Sequence, residues 1–265
     1  MLTTSSRSGS VVKDIISDTI TFKSAVEVAD KDQKQERLST GSKNIDCLLD
    51  GGLECGAITQ FYGASKVGKT HLCHLLCSVL PPYYRAIYID TQDGFSTLKI
   101  KSIAHARGLN LSKILENTAV AKVGTTSDLE QCIKSAKSKI KSEPNIKLLI
   151  LDSMTHLYKL EYPERSQIPE RQSKMNKYLH MLLRIAQTNN VAVVITNQVH
   201  SNPQSYSEAD RLQPIGGNVL SYSSKYVVDI KKYGIVNRIA ILEKHPYRPH
   251  FSVPLIIDET GFVDC

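Results

Sequence analysis

No stretch of this 265-residue chain strings together the ~18–20 apolar residues that a bilayer-spanning helix needs, so a helical membrane protein is not expected. The first residues, MLTTSSRSGSVVKD, lack the apolar centre of a secretory signal. The six cysteines (Cys47, Cys55, Cys73, Cys77, Cys132 and Cys265) form no C-x-x-C pair and no zinc-like array. Cys73 and Cys77 lie inside an apolar stretch and read as buried thiols. The eight histidines show no H-E-x-x-H and no ligand spacing. There is no internal repeat and no low-complexity segment. These absences leave a soluble, intracellular protein without a structural metal or a disulfide framework.

What is present fits one large α/β domain, the size expected for a chain of this length. Hydrophobic residues make up 41% of it, enough for a buried core. The net charge is +7, and it is unevenly placed. Residues 1–37 carry six basic and six acidic side chains, so the whole excess belongs to the segment from 38 onward. A basic folded domain favours polyanionic partners, nucleic acid first.

Residues 1–37, Ser-rich and then highly charged, read as a flexible arm with short helical pieces. From 38 onward short β-rich runs (58–62, 86–90, 147–152, 191–196) alternate with helical patterns near 69–80, 97–108, 127–142 and 168–189. Strands apolar on both faces and separated by helices predict a mostly parallel sheet covered by helices on both sides. After about 217 the runs KYVVDIKK, NRIAILEK and VPLIID follow one another directly, which predicts antiparallel strands added at the C-terminal end. Lys134, Lys137, Lys139 and Lys141 read as a solvated helix face.

The strongest local pattern is Gly63-Ala64-Ser65-Lys66-Val67-Gly68-Lys69-Thr70, a G-x-x-x-x-G-K-[ST] loop between the apolar run ITQFY and an amphipathic helix. Its glycines let backbone N–H groups turn toward phosphate oxygens, and the helix N-terminus adds partial positive charge. Lys69 is expected to neutralise the β- and γ-phosphates of ATP, and the Thr70 hydroxyl to ligate Mg²⁺. Lys147-Leu-Leu-Ile-Leu-Asp152 ends an apolar run in a carboxylate, which supplies the second Mg²⁺ partner. An Asp that merely caps a strand is the plainer alternative.

Several further stretches resemble the RecA/RadA class of strand-exchange recombinases. They are Leu38-Ser-Thr-Gly-Ser-Lys-Asn-Ile-Asp-Cys-Leu-Leu-Asp-Gly-Gly52, Ala192-Val-Val-Ile-Thr-Asn-Gln-Val199 and Pro214-Ile-Gly-Gly-Asn-Val219. The resemblance covers roughly residues 22–264 and implies a RecA-type P-loop core spanning 38–265. It makes Gln198 a phosphate sensor. It implies DNA contact by two loops, His156–Gln172 with Arg165 and Arg171, and Val199–Asn218 with Gly216, Gly217 and Asn218. Phe22-Lys-Ser-Ala25 resembles the F-x-x-A motif through which such proteins engage a neighbouring subunit.

Two departures shape the expected role. Only a charged arm precedes the core, where the family usually has a helical domain. The position after Ile89-Asp90-Thr91, usually a catalytic Glu, is Gln92, followed by Asp93. Glutamine orients water but is a very poor general base, so either Asp93 takes over, hydrolysis is slow, or ATP acts as a switch. Glu243-Lys244-His245-Pro246-Tyr247-Arg248-Pro249 resembles an element of RadB, the short archaeal paralog, in which Lys244 and His245 would reach the nucleotide of an adjacent subunit. The expectation is an accessory recombinase that binds ATP, Mg²⁺ and single-stranded DNA, with duplex or branched DNA as further ligands. It would associate with itself or with a principal recombinase, away from membranes, in the cytoplasm near the nucleoid. A principal strand-exchange enzyme and a KaiC-like signalling ATPase are the alternatives.

Overall fold

The computed structural model describes residues 22, 24–201, 212–216 and 218–264. They fall into two units, one ending at Gln35 and the other beginning at Glu36. In the first, helix α1 (Ala25–Gln33) opens with a reciprocal cap: Glu27 N–H donates to Ser24 Oγ at 3.2 Å, and Ser24 N–H donates to Glu27 Oε2 at 2.8 Å.

The second unit begins at Glu36. Arg37 lies in β1 (Arg37–Leu38), which pairs with β2 (Leu53–Glu54), and its guanidinium meets Glu54 and Tyr226. Between them α2 (Lys43–Leu48) is capped by Ser42.

Strand β3 (Ile58–Gly63) leads through the phosphate-type loop into α3 (Lys69–Val79). Next come β4 (Arg85–Asp90), α4 (Thr97–Ala106), α5 (Leu111–Asn117), β5 (Thr118–Lys122), α6 (Thr126–Ser142) and β6 (Ile146–Asp152). The chain continues through α7 (His156–Glu161) and α8 (Ile168–Asn189) to β7 (Ala192–Ser201), β8 (Leu212–Pro214) and α9 (Asn218–Ser223). It closes with β9 (Tyr226–Lys232), β10 (Asn237–Lys244), β11 (Ser252–Asp258) and β12 (Gly261–Asp264).

Among the described residues ten strands form the main sheet, ordered β12-β11-β10-β9-β3-β7-β6-β4-β5, with β8 paired to β7. From β9 to β5 the neighbours are parallel; β10, β11 and β12 are added antiparallel, as the consecutive runs after 217 predicted.

Alternation explains the layers. Phe61, Tyr88, Leu148, Ile150 and Val194 face one core with Leu72, Leu75 and Leu76 of α3. Ile58, Ile87, Ile89, Leu149, Leu151, Val193 and Ile195 face the other, with Leu129 and Ile133 of α6 and Leu179 and Leu182 of α8. Each fully buried Leu or Ile contributes about 1.5–3 kcal/mol, so these two faces hold the layers together. Register then aligns the site: Gly63 pairs with Gln198 and Asp90 with Asp152, which brings three strand ends and Gln198 of β7 to one edge of the sheet. That carboxyl edge is where open α/β sheets bind ligands.

Candidate functional site

The loop after β3 is shaped by what surrounds it. Val67 is buried and anchors it, Ala64 is half-buried, and Ser65 and Lys66 are exposed. Lys66 takes φ 64°, a left-handed conformation that a lysine adopts only under constraint. Gly68 has φ 110°, and a Cβ there would stand 2.4 Å from Ile257 Cδ1 and 2.9 Å from Phe262 Cζ, so only glycine fits. Gly68 caps α3 without any side-chain bond, which leaves the first-turn N–H groups free for an anion. Lys69 is 9% exposed and its Nζ donates to Gly63 O at 2.8 Å and Ala64 O at 2.7 Å. Burial pushes its pKa down, opposed by the charge of Asp152.

A cavity of about 170 Å³ opens here, lined by Ser65, Lys66, Gly68, Lys69, Thr70, His71, Gln92, Asp152 and Gln198. The structure thus brings together the phosphate-loop residues, Thr70, Asp152, Gln92 and Gln198. Asp152 is 3% exposed and is held at the sheet edge by two hydroxyls: Tyr88 donates to Oδ2 at 2.8 Å and Thr196 to Oδ1. The peptide that follows, Asp152–Ser153, is cis.

Gln92 sits on a loop folded around the buried carboxylate of Asp90. Asp90 Oδ1 accepts from Gln92 N at 3.0 Å and Gly94 N at 3.1 Å, and Oδ2 accepts from Phe95 N at 2.9 Å. His74 Nε2 accepts from Ser96 N at 2.9 Å, fixing the same loop to α3. The Gln92 amide donates to Ser153 Oγ at 2.6 Å, and Gln198 Nε2 approaches Gln92 Oε1 at 3.4 Å.

Asp93 does not join this group. Its carboxylate pairs with Lys122, its side chain is 76% exposed, and it is absent from the cavity lining. Its backbone is left-handed, with φ 56°. The expectation that Asp93 could replace a missing base has no geometric support.

The first expected DNA loop is largely helical. Residues 156–161 form α7, with Leu157 and Tyr158 buried, and Arg165–Gln167 form a 3₁₀ turn before α8. Arg165 opens that turn, whereas Arg171 lies in the first turns of α8, half-buried, with its Nε buried and unbonded. The base of the second loop is a β-ribbon, with Val199 opposite Pro214 and Ser201 opposite Leu212. Residues 202–211 and Gly217 lie outside the described residues, and Asn218 begins α9. Gly216 is buried, with φ 88°, and a Cβ there would meet Leu220 Cδ1 at 2.2 Å and Met175 Cε at 2.8 Å. In this structure it serves close packing against α8 and α9.

Lys244 and His245 point into their own chain. Lys244 Nζ donates to Ser221 O and Ser224 O, both at 2.7 Å, and so caps the end of α9. His245 stacks edge-on between Tyr226 and Tyr247, and its Nδ1 accepts from Arg248 N at 3.2 Å. Contact with a second subunit's nucleotide would require Lys244 to leave these carbonyls. Phe22 is 95% exposed, and Ala25 is the first residue of α1.

A buried lysine under a free helix N-terminus, a pinned strand-end carboxylate and a doubly covered parallel sheet define a P-loop nucleotide-binding protein of the RecA type. Residues 31–265 match the Rad51 family model, and the chain belongs to the Rad51 family. That family comprises recombination and DNA-repair ATPases, which bind single-stranded DNA and self-associate as filaments.

Sequence reasoning missed Tyr88, Thr196, Ser153, His74 and Arg238 as supports of the site. Thr196 stands in the stretch Val-Ile-Thr-Asn-Gln already singled out, but its contact with Asp152 spans 44 residues and only the sheet register reveals it.

Proposed function

We propose that the chain is an accessory, RadB-like member of its family that uses ATP as a switch for binding single-stranded DNA and hydrolyses it slowly. The observation that carries this reading is the makeup of the cavity. Among the described residues Asp152 is its one carboxylate, and that group is already committed to two hydroxyls. Gln92 stands at the mouth and offers an amide. An amide positions a water by hydrogen bonding and does not remove its proton, so turnover loses a factor of about 10²–10⁴ relative to a site with a general base.

The residues present fit ATP and Mg²⁺. The free N–H groups of the loop and the α3 N-terminus suit phosphate oxygens, Lys69 supplies a buried cation, and the Thr70 hydroxyl with Asp152 would hold the metal. Mg²⁺, when bound, neutralises phosphate charge. Gln198 lies in β7, the strand that runs on into the second DNA loop, so contact between Gln92, Gln198 and the nucleotide's far end links occupancy to that loop. Arg165 and Arg171 supply charge to the other DNA loop. Partners of this reading are single-stranded DNA, duplex or branched DNA, and either a second copy or a principal recombinase, with the protein working in the cytoplasm at the nucleoid.

The test is fluorescence anisotropy of a labelled oligonucleotide with ATP–Mg²⁺, with ADP–Mg²⁺ and without nucleotide, for the parent and Lys69→Ala. The reading expects binding that ATP strengthens in the parent and not in the variant. Equal DNA affinity under all conditions would remove the switch.

A further inference from the structure

Arg238 lies in β10, far from the phosphate loop in sequence, yet its side chain holds a buried carbonyl of that loop. The residue is 6% exposed. Nε donates to Val67 O at 2.9 Å, while Nη1 donates to Ile235 O at 3.0 Å and Asn237 O at 2.8 Å. All three acceptors are neutral carbonyls, and no carboxylate pairs with it among the described residues. Burial pushes its pKa down without any neighbouring anion to raise it.

The Val67–Gly68 peptide is trans, and in a planar trans unit the C=O and the following N–H point in opposite directions. Fixing Val67 C=O outward on Arg238 therefore fixes Gly68 N–H inward. Gly68 lines the cavity, and its N–H has no acceptor among the described residues. A buried cation without a counter-ion is costly, and the peptide it holds leads into Gly68, which lines the phosphate cavity.

We propose that Arg238 is a positioning residue for nucleotide phosphates. It orients the Gly68 N–H toward the phosphate chain by holding the Val67 carbonyl with a charge-assisted bond. It touches the loop's carbonyl and not the ligand, so it acts through Val67–Gly68. The same guanidinium grips the turn between β9 and β10, so the antiparallel extension of the sheet braces the phosphate loop. This inference rests on the ATP reading above.

Lysine at 238 keeps the charge and much of the buried stem but lacks the planar fork; glutamine keeps a donor and loses the charge. ATP and adenosine affinities of the parent, Arg238→Lys, Arg238→Gln and Lys69→Ala, measured by calorimetry, test it. Arg238→Gln is expected to bind ATP about tenfold more weakly and Arg238→Lys by a smaller factor, the loss expected for a charge-assisted bond. Adenosine affinity should not change, and amide exchange in segment 63–69 of the ATP complex should speed up. ATP affinity within twofold of the parent in Arg238→Lys and Arg238→Gln overturns the inference, as does an equal loss for ATP and adenosine, which marks a purely structural role. If Arg238→Gln does not fold, Arg238→Lys and the exchange measurement decide alone. If Lys69→Ala also binds ATP like the parent, the nucleotide reading has failed; if only the Arg238 variants do, this inference alone has failed.

Discussion

Gln92 donates its side-chain amide to the Ser153 hydroxyl at 2.6 Å, so the mouth of the phosphate cavity is tied to the strand end that carries Asp152. A serine hydroxyl accepts from an amide and can equally donate to a carboxylate. Glutamate therefore fits at position 92 without loss of that bond. Gln92→Glu is expected to raise ATP turnover about tenfold to a hundredfold, since it restores a base where an amide stood. Phosphate release under saturating ATP measures it. An unchanged rate would mean that water is not activated at position 92.

His74 gives a pH signature. Burial lowers its pKa from the ordinary value near 6.5 to about 4, and its Nε2 accepts the Ser96 N–H. Above pH 6.5 the folded and unfolded states both hold it neutral. As pH falls below 6.5 the unfolded state takes up the proton first, so stability is lost progressively and levels off below about 4. Asp229, raised to about 6 by burial, acts in the opposite sense, losing stability as pH climbs from the ordinary aspartate range through 6. His74→Gln keeps an acceptor and removes the titration. Urea unfolding at pH 7 and pH 5 should show the variant gaining on the parent at the lower pH, by up to about 2 kcal/mol. Parallel pH profiles would show that His74 is not held neutral by the fold.

Arg171, with an unbonded Nε in the first turns of α8, and Arg165, at the 3₁₀ turn before it, are the expected phosphate contacts of the first DNA loop. Replacing either by alanine should weaken single-stranded DNA binding and reduce the slope of log affinity against log salt by about 0.7. A lower affinity with the parent's slope would place the arginine away from DNA phosphates.

Phe22 is almost fully exposed ahead of a capped helix. Phe22→Ala is expected to shift sedimentation toward monomer, or to abolish capture by a principal recombinase, with nucleotide affinity unchanged. Identical assembly in both proteins would make the F-x-x-A likeness a coincidence.

Much of this was legible in the chain itself. The runs ending at Gly63, Asp90 and Asp152 are apolar on both faces, so period and length located β3, β4 and β6 within a residue or two. The carboxylate at 152 was legible because an apolar run stops there. Strand β5 was not: its residues Thr-Ala-Val-Ala-Lys form a short, half-exposed edge with a weak pattern. The helical state of 156–161 was hidden because six residues hold less than two turns of periodicity, and burial of Leu157 and Tyr158 decides it. Asp93 looked like a carboxylate beside the reacting position, and its pairing with Lys122, which sequence does not show, leaves it out of the cavity lining. Arg238 could not be read at all, because its bond to Val67 spans 171 residues and follows from sheet order.

The most direct test of the central claim is ATP turnover measured on the sample used for DNA binding, with saturating ATP–Mg²⁺ and with or without single-stranded DNA. The account predicts ATP-strengthened DNA binding with turnover that is slow and little changed by DNA. Rapid, strongly DNA-stimulated turnover by the unaltered protein would contradict it.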